Sequence, residues 1–232
     1  MSPRRAQPGP PRKLHERVKT ARARTVSSQR WLQRQLNDPY VLAARQAGYR
    51  SRAAFKLAEL DDRFRLIRPT SRIVDLGAAP GGWTQVAVAR APRGAVLAVD
   101  IDAMDPVAGA KHMRLDFLAP EARARTVATI GGAVDLVLSD MAAPATGHRQ
   151  TDHIRIVVLA EAALDFAELA LAPGGCFVAK VLQGGAVGHL LGRLKRVFAK
   201  VRHAKPLASR KESAETYVVA TGFRGRAAES AP

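Results

Sequence analysis

A chain of 232 residues can bury one substantial core, so a single domain with appendages is expected. Lysine and arginine number 37 against 20 aspartates and glutamates, a formal charge of +17, which argues against an enzyme of small metabolites and makes nucleic acid the natural partner. The absence of an apolar run of ~20 residues, or of an apolar segment behind the basic start, argues against a membrane partner and a signal peptide, and the lone Cys176 excludes a disulfide framework or a cysteine zinc site.

Residues 1–28 are rich in Pro, Arg and Ala and hold too few large apolar groups to offset their ordering entropy, so a disordered basic arm is predicted there. Residues 1–34 carry ten Lys or Arg against the one acid Glu16, which suits contact with a phosphate backbone. The remainder, 29–223, opens with a helical segment at 29–67. Trp31, Leu32 and Leu36 form a short stripe, Asn37-Asp38-Pro39 interrupts it, and 41–47 resumes it before Gly48. Ser51 is read as the N-cap of a helix bearing Phe55, Leu60, Phe64 and Ile67. Arg50 and Arg52 pack basic groups into that helix entry, and Lys56 reads by spacing as an ordinary solvated lysine.

The core, 72–223, is organised around Ile-Val-Asp-Leu-Gly-Ala-Ala-Pro-Gly-Gly-Trp at 73–83. Gly77, Pro80, Gly81 and Gly82 end the strand, let the backbone approach a ligand, and lead into a helix starting near Trp83 whose first N–H groups are free. A dinucleotide turn would place a glycine where Ala79 stands, so no pyrophosphate is expected. Asp75-x-Gly77 resembles the first motif of class I S-adenosylmethionine-dependent methyltransferases, whose loop holds the methionine end of the cofactor. Further strands are predicted at 95–100, 112–117, 134–140, 175–182, 201–206 and 216–223. Helices are predicted at 84–91, 120–130, 152–172, ended by Pro173-Gly174, and 188–200, and residues 224–232 read as a disordered tail. This alternation implies an α/β fold, Rossmann-like, with a mostly parallel sheet of seven strands, helices on both faces and an antiparallel last strand.

Ligands of such sheets bind beyond the carboxyl ends of the strands, so acids there matter most. Asp100, next to Ile101, is placed to accept from the cofactor's ribose, and Asp116, next to Phe117, from its adenine; Asp102 and Asp105 read as loop caps, with Asp102 an alternative to Asp100 for the ribose. Asp140 lies at the same level, and Lys180 interrupts the apolar run 177–182, where a charge must be paired or reach a cleft. Gln183-Gly184-Gly185 leaves room for a substrate. His148 and His153 have no completing ligand, so no metal is expected, and Ser139 lacks a histidine partner.

Asp75 to Trp83, Ser139-Asp140-Met141-Ala142, Lys180-Val181-Leu182-Gln183-Gly184 and the run from Lys205-Pro206 through Ser209-Arg210 to Glu215-Thr216-Tyr217 together resemble the FtsJ/RrmJ family of ribosomal RNA 2′-O-ribose methyltransferases. The resemblance covers residues 29–222. It implies a catalytic tetrad of Lys56, Asp140, Lys180 and Glu215, with S-adenosyl-L-methionine held by Asp75, Gly77, Ala79, Pro80, Gly81, Gly82, Trp83, Asp100, Ile101, Asp116, Phe117 and Asp140. The family commonly follows Asp-Met-Ala with Pro-Asn, whereas Ala143-Pro144-Ala145 stands here, which removes a polar contact from that loop. Residues 189–211 hold eight Lys or Arg and no acid, and Arg193, Lys195, Arg196, Lys205 and Arg210 join Arg50 and Arg52 as expected RNA contacts beside the cleft. The implied activity is 2′-O-methylation of a uridine in the A-loop of large-subunit ribosomal RNA, by a cytoplasmic monomer acting within the large subunit. Another RNA substrate, such as a transfer RNA or a cap, or a non-catalytic assembly role, stays open. So does whether Lys180 takes the hydroxyl proton or only orients the hydroxyl.

Overall fold

Runs of Val, Ile, Leu and Ala bounded by glycines and acids build one seven-stranded sheet in the computed structural model, which describes residues 32–33, 36–144, 146–183 and 188–225. The expected arm at 1–28, Trp31, Ala145, Gly184, Gly185 and residues 226–232 lie outside the described residues. The strands are β1 (Arg72–Leu76), β2 (Ala95–Asp100), β3 (Ala110–Arg114), β4 (Val134–Ser139), β5 (Leu171–Leu182), β6 (Phe198–Ala204) and β7 (Glu215–Phe223). The helices are α1 (Pro39–Gln46), α2 (Ala53–Phe64), α3 (Gly82–Arg90), α4 (Ala122–Ile130), α5 (Arg149–Ala170) and α6 (Gly188–Val197).

In space the strands run β3-β2-β1-β4-β5-β7-β6. β1 to β5 are parallel, and β7 alone is reversed, pairing antiparallel with both β5 and β6. The order reverses at β1, between β2 and β4, and there the carboxyl ends of the strands open a crevice. Successive side chains alternate between two cores. Val74, Leu76, Ala179, Val181 and Val218 face α4, α5 and α6, while Ile73, Leu136, Leu138, Val178, Tyr217 and Val219 face α2 and α3. No described helix is long and apolar enough to cross a membrane.

Several boundaries differ from expectation for local physical reasons. Helix α5 stops at Ala170, because Leu171 is already extended and pairs with Val134; Pro173 and Gly174 instead sit in a bulge of β5, where the register with β4 jumps from Val134↔Leu171 to Leu136↔Cys176. Proline offers no N–H to a ladder and Gly174 has φ +82°, so the chain loops out there. Strand β3 lies at 110–114, earlier than expected, so Asp116 stands two residues beyond its end. Helix α6 ends at Val197, since Phe198 enters the sheet opposite Phe223. Ser51 does not cap α2: the position before that helix is Arg52, and the Ser51 side chain turns toward Gly82, where a Cβ would collide with its hydroxyl. The chain at Arg224 is not a loose tail, because its guanidinium donates to the carbonyls of Lys195 and Arg196 at 3.0 and 2.7 Å.

Candidate active site

Alternation and register together place the tetrad. Residues 136 and 138 of β4 face α2, so Asp140, next in phase, faces it too. Ser139 is registered with Ala179, which puts Asp140 beside Lys180; Lys180 is registered with Tyr217, and Leu182 with Glu215. Asp140, Lys180 and Tyr217 thus form a row across three adjacent strands, with Glu215 two residues from Tyr217 on the same face. Lys56 descends onto this row from α2, on the same helix face as Leu57 and Leu60, and it is buried rather than solvated as its spacing suggested.

The Lys180 ammonium donates to the Asp140 carbonyl at 2.8 Å and to Asp140 Oδ1 at 2.9 Å. Lys56 is ion-paired with Glu215 and lies 3.3 Å from the Tyr217 hydroxyl. That hydroxyl is 2.8 Å from Asp140 Oδ1 and 2.7 Å from Glu215 Oε1, and its one proton can serve only one of them at a time. Two ammonium groups and two carboxylates therefore balance around one buried phenol. Burial, then the charges of Asp140 and Glu215, push the Tyr217 hydroxyl well above the ordinary tyrosine range, so it stays protonated. Burial alone would raise Glu215, but the charges of Lys56 and Lys180 and the hydrogen bonds from Lys56 and Tyr217 outweigh it and hold the carboxyl below its usual value.

Tyr217 was not singled out from the sequence as a site residue. Its signal was available: a hydroxyl in an apolar strand, two residues from Glu215, needs a buried partner on the same face.

Lys180 and Asp140 open onto a cavity of about 560 Å³ at the strand ends. Gly77, Ala79, Asp100, Ile101, Asp116 and Phe117 line it, as expected for cofactor residues, together with Met141 to Pro144. The Asp100 carboxylate is fixed by the N–H groups of Ala79 and Asp102, each at 2.8 Å, and Asp116 by that of Leu118 at 2.9 Å, so both present acceptors in known directions. Gly77, at φ +75°, is obligatory: a Cβ would lie 2.6 Å from the Met141 nitrogen, where the segment after Asp140 crosses the turn. Asp75 is fully buried beneath it. Thr84 donates to one of its oxygens at 2.7 Å, and the other has no partner.

The remaining expected cofactor residues do not line this cavity. Trp83 is buried, donates from its indole to the Ala53 carbonyl at 2.8 Å and packs on Tyr217 with centroids 5.5 Å apart, so its side chain positions α2 and the phenol. Gly81 and Gly82 give space to Arg50 and Ser51, and Pro80 lines a neighbouring cleft with Arg50.

The expected RNA contacts divide. Arg50 donates to the carbonyls of Pro80, Asp105 and Pro106 and staples two loops together. Lys205 holds its own loop through the carbonyls of Lys211 and Ser213 at 3.1 and 2.6 Å. Arg193 is paired with Asp165 and Glu168 of α5 at 2.8 and 3.1 Å. Lys195 and Arg196 are exposed, but at the wrong end: α6 runs into Phe198, which pairs with Phe223 at the far end of reversed β7, opposite the tetrad. The basic end of α6 therefore does not flank the cleft. Arg52 and Arg210 do lie near it, both on Asp38.

A family model described as FtsJ-like methyltransferase matches residues 49–223. The ribosomal RNA large subunit methyltransferase E of Xanthobacter autotrophicus is 56% identical over 230 residues, covering 97% of this chain and 90% of that relative. The protein of the same name from Rhodospirillum rubrum is 60% identical over 219 residues, covering 92% and 83%. Among solved structures, a Plasmodium falciparum protein named as a ribosomal RNA methyltransferase is 28% identical, with a TM-score of 0.69 over 77% of this chain and 100% of its own. Human methyltransferase-like protein 13 in complex with SAH, 17% identical with a TM-score of 0.53, covers 73% and 82% and shares the fold.

Proposed function

This chain belongs to the FtsJ-like methyltransferase family, and from that premise we propose that it 2′-O-methylates a uridine of 23S ribosomal RNA, in the A-loop, using S-adenosylmethionine. The observation that carries this reading is the neutral quartet of Lys56, Glu215, Asp140 and Lys180 around Tyr217, open to a cofactor-sized cavity only at its Asp140–Lys180 end. Two acceptors in the cavity suit the group, Asp100 for the two ribose hydroxyls and Asp116 for the adenine amino group; behind them the fully buried Asp75 keeps one unpartnered oxygen under the Gly77 turn, which we assign to the ammonium of the methionine end. S-adenosylmethionine supplies an activated methyl carbon and its own leaving group, so the protein's work is to orient the ribose hydroxyl and handle its proton.

Lys180 suits that work. Two of its three polar valences are held by the Asp140 carbonyl and carboxylate, which leaves one direction for the substrate. As a neutral amine that direction is a lone pair able to take the hydroxyl proton; as an ammonium it is an N–H that fixes the oxygen and turns its free lone pair toward the methyl carbon. The tetrad is complete within one chain, so the reaction needs no second copy, and the enzyme is read as a cytoplasmic monomer that acts on RNA of the large subunit.

The test is to map 2′-O-methyl groups in ribosomal RNA from cells with and without this protein. Loss of one uridine modification in 23S RNA is expected. An unchanged ribosomal pattern, with the missing methyl group found on transfer RNA, would overturn the assignment.

If Asp75 takes the ammonium, cofactor binding should depend on pH. Burial, aided by the charges of Asp140 and Asp100 and opposed by the Thr84 hydrogen bond, pushes Asp75 up to about 7. Below that pH the carboxyl carries a proton that must leave before it can accept an ammonium. S-adenosylmethionine affinity should therefore rise with pH by up to about tenfold per unit below about 7 and level off above it. Calorimetry should show the rise in the wild type and its absence in Asp75→Asn; a falling wild-type affinity, or an unaltered rise in the variant, would remove Asp75 from this role.

A further inference from the structure

A further pocket, of about 280 Å³ and flanked by charged side chains, lies at the junction of α1, the start of α2 and the loop between β6 and β7. Its lining includes Asp38, Tyr40, Arg52, Ser209, Arg210 and Lys211, with Glu212 at the rim. Donors outnumber acceptors. Ser209 is 5% exposed and its hydroxyl has no partner, and Arg52 Nε is likewise buried and unpaired. Two guanidinium groups share a single carboxylate oxygen, Asp38 Oδ2; Arg52 is closely paired to it, whereas both Nε and Nη2 of Arg210 stand 3.4 Å away, at the limit of a hydrogen bond. The other Asp38 oxygen is occupied in capping α1 through the Tyr40 N–H at 3.0 Å. Three cations against two acids leave one positive charge, and unpaired buried donors cost free energy until something accepts from them.

The pocket's walls run directly into the tetrad. Arg52 precedes Lys56 by four residues on α2, about 6 Å along the axis. The loop bearing Ser209, Arg210 and Lys211 ends at Glu215. That loop is held against α2 by Glu59, which accepts from the N–H groups of Leu207 and Ala208, and by Arg52, which donates to the Ala208 carbonyl. An anion bound here would thus be held at a fixed offset from the reacting hydroxyl. A phosphate group offers several acceptor oxygens to these donors and matches the arginine forks.

We propose that this pocket is a phosphate subsite that grips the backbone of the RNA substrate near the nucleotide being methylated. The proposal rests on the ribosomal RNA methyltransferase reading above. Asp38 is the internal counter-ion that the phosphate displaces from Arg210, while Arg52 and the Ser209 hydroxyl complete the cradle.

The test uses the full chain and large-subunit ribosomal RNA purified from cells lacking this protein, with binding measured across a salt series. Arg210→Gln should weaken binding several-fold or more and lower the log–log salt slope by about one unit, and Ser209→Ala should weaken binding with little change of slope. Asp38→Asn should do the opposite, tightening binding at low salt and steepening the slope, because it frees the arginines while its amide oxygen still caps α1. The gain should be lost when Asp38→Asn is combined with Arg210→Gln, whereas a general effect of the added charge would survive the second change. If Asp38→Asn weakens binding and Arg210→Gln leaves the slope unchanged, the subsite is wrong. Wild-type methylation of the same RNA is followed in parallel: its failure would count against the functional reading, whereas active wild-type enzyme with coincident salt slopes would sink only the subsite.

Discussion

Replacing Lys180 with alanine is expected to slow single-turnover methylation of ribosomal RNA by about 10²-fold or more while leaving S-adenosylmethionine affinity nearly unchanged. The expectation follows from where the ammonium sits. Lys180 is only 11% exposed, its two bonds to Asp140 fix its direction, and it is the tetrad cation that reaches the cavity. The acceptors assigned to the cofactor, Asp75, Asp100 and Asp116, are held by Thr84 and by backbone N–H groups and do not depend on Lys180. Truncation therefore removes the group that faces the ribose hydroxyl without dismantling the cofactor cradle. Single-turnover kinetics with saturating cofactor and RNA isolate that step from product release. A wild-type rate in a folded Lys180→Ala enzyme would exclude Lys180 as either proton acceptor or orienting donor.

Half of the tetrad was legible in the residue pattern, because a charge stands out against a strand that is apolar on both faces, whereas Lys56 and Glu215 were reached only through the family resemblance. A lysine among Phe177, Val178, Ala179, Val181 and Leu182 has one possible face, and an aspartate just past an apolar strand can lie only at the crevice. The glycine turn was legible for the same kind of reason, since Gly77 answers to the Met141 backbone crossing over it. Pairing across distant strands was not legible. The registers Lys180↔Tyr217 and Leu182↔Glu215 depend on β7 inserting between β5 and β6, and no local pattern encodes an insertion of that kind. The partners of the Trp83 indole were not legible either, because a side chain at a helix start is one bond rotation from either the crevice or the core, and here Ala53 and Tyr217 claim it. Within the basic run at 189–211 only the α6 part falls away from the cleft, and for a topological reason: charge density along the chain does not reveal that α6 carries Lys195 and Arg196 to the far ends of the strands, while the chain returns along β6 to bring Arg210 back beside the tetrad.

Asp140→Asn should be about as damaging as loss of Lys180, and it tests whether the tetrad works as one electrostatic unit. The amide keeps the shape, and its oxygen can still accept from both Lys180 and Tyr217, so the change removes charge and little else. Lys56 and Lys180 are then balanced by Glu215 alone, leaving one uncompensated positive charge beside a fully buried phenol. What slows the reaction is the lost charge that orients Lys180 toward the ribose hydroxyl as the methyl group is transferred, and a loss of about 10²-fold corresponds to about 2.7 kcal/mol of such transition-state stabilisation. Tyr217→Phe, which deletes one hydrogen bond to a charged group, should cost less, about 10-fold to 10²-fold. If Tyr217 acts by holding Asp140 in line with Lys180, the double variant Asp140→Asn with Tyr217→Phe should be scarcely slower than Asp140→Asn alone, because the second change removes support for a group already disabled. Fully additive losses would mean that Tyr217 serves Glu215 and Lys56 separately from Asp140. A folded Asp140→Asn enzyme that methylates ribosomal RNA at the wild-type single-turnover rate would show that the charge at this position is not needed, and the quartet would then be a structural ion cluster beside a site that works by another group.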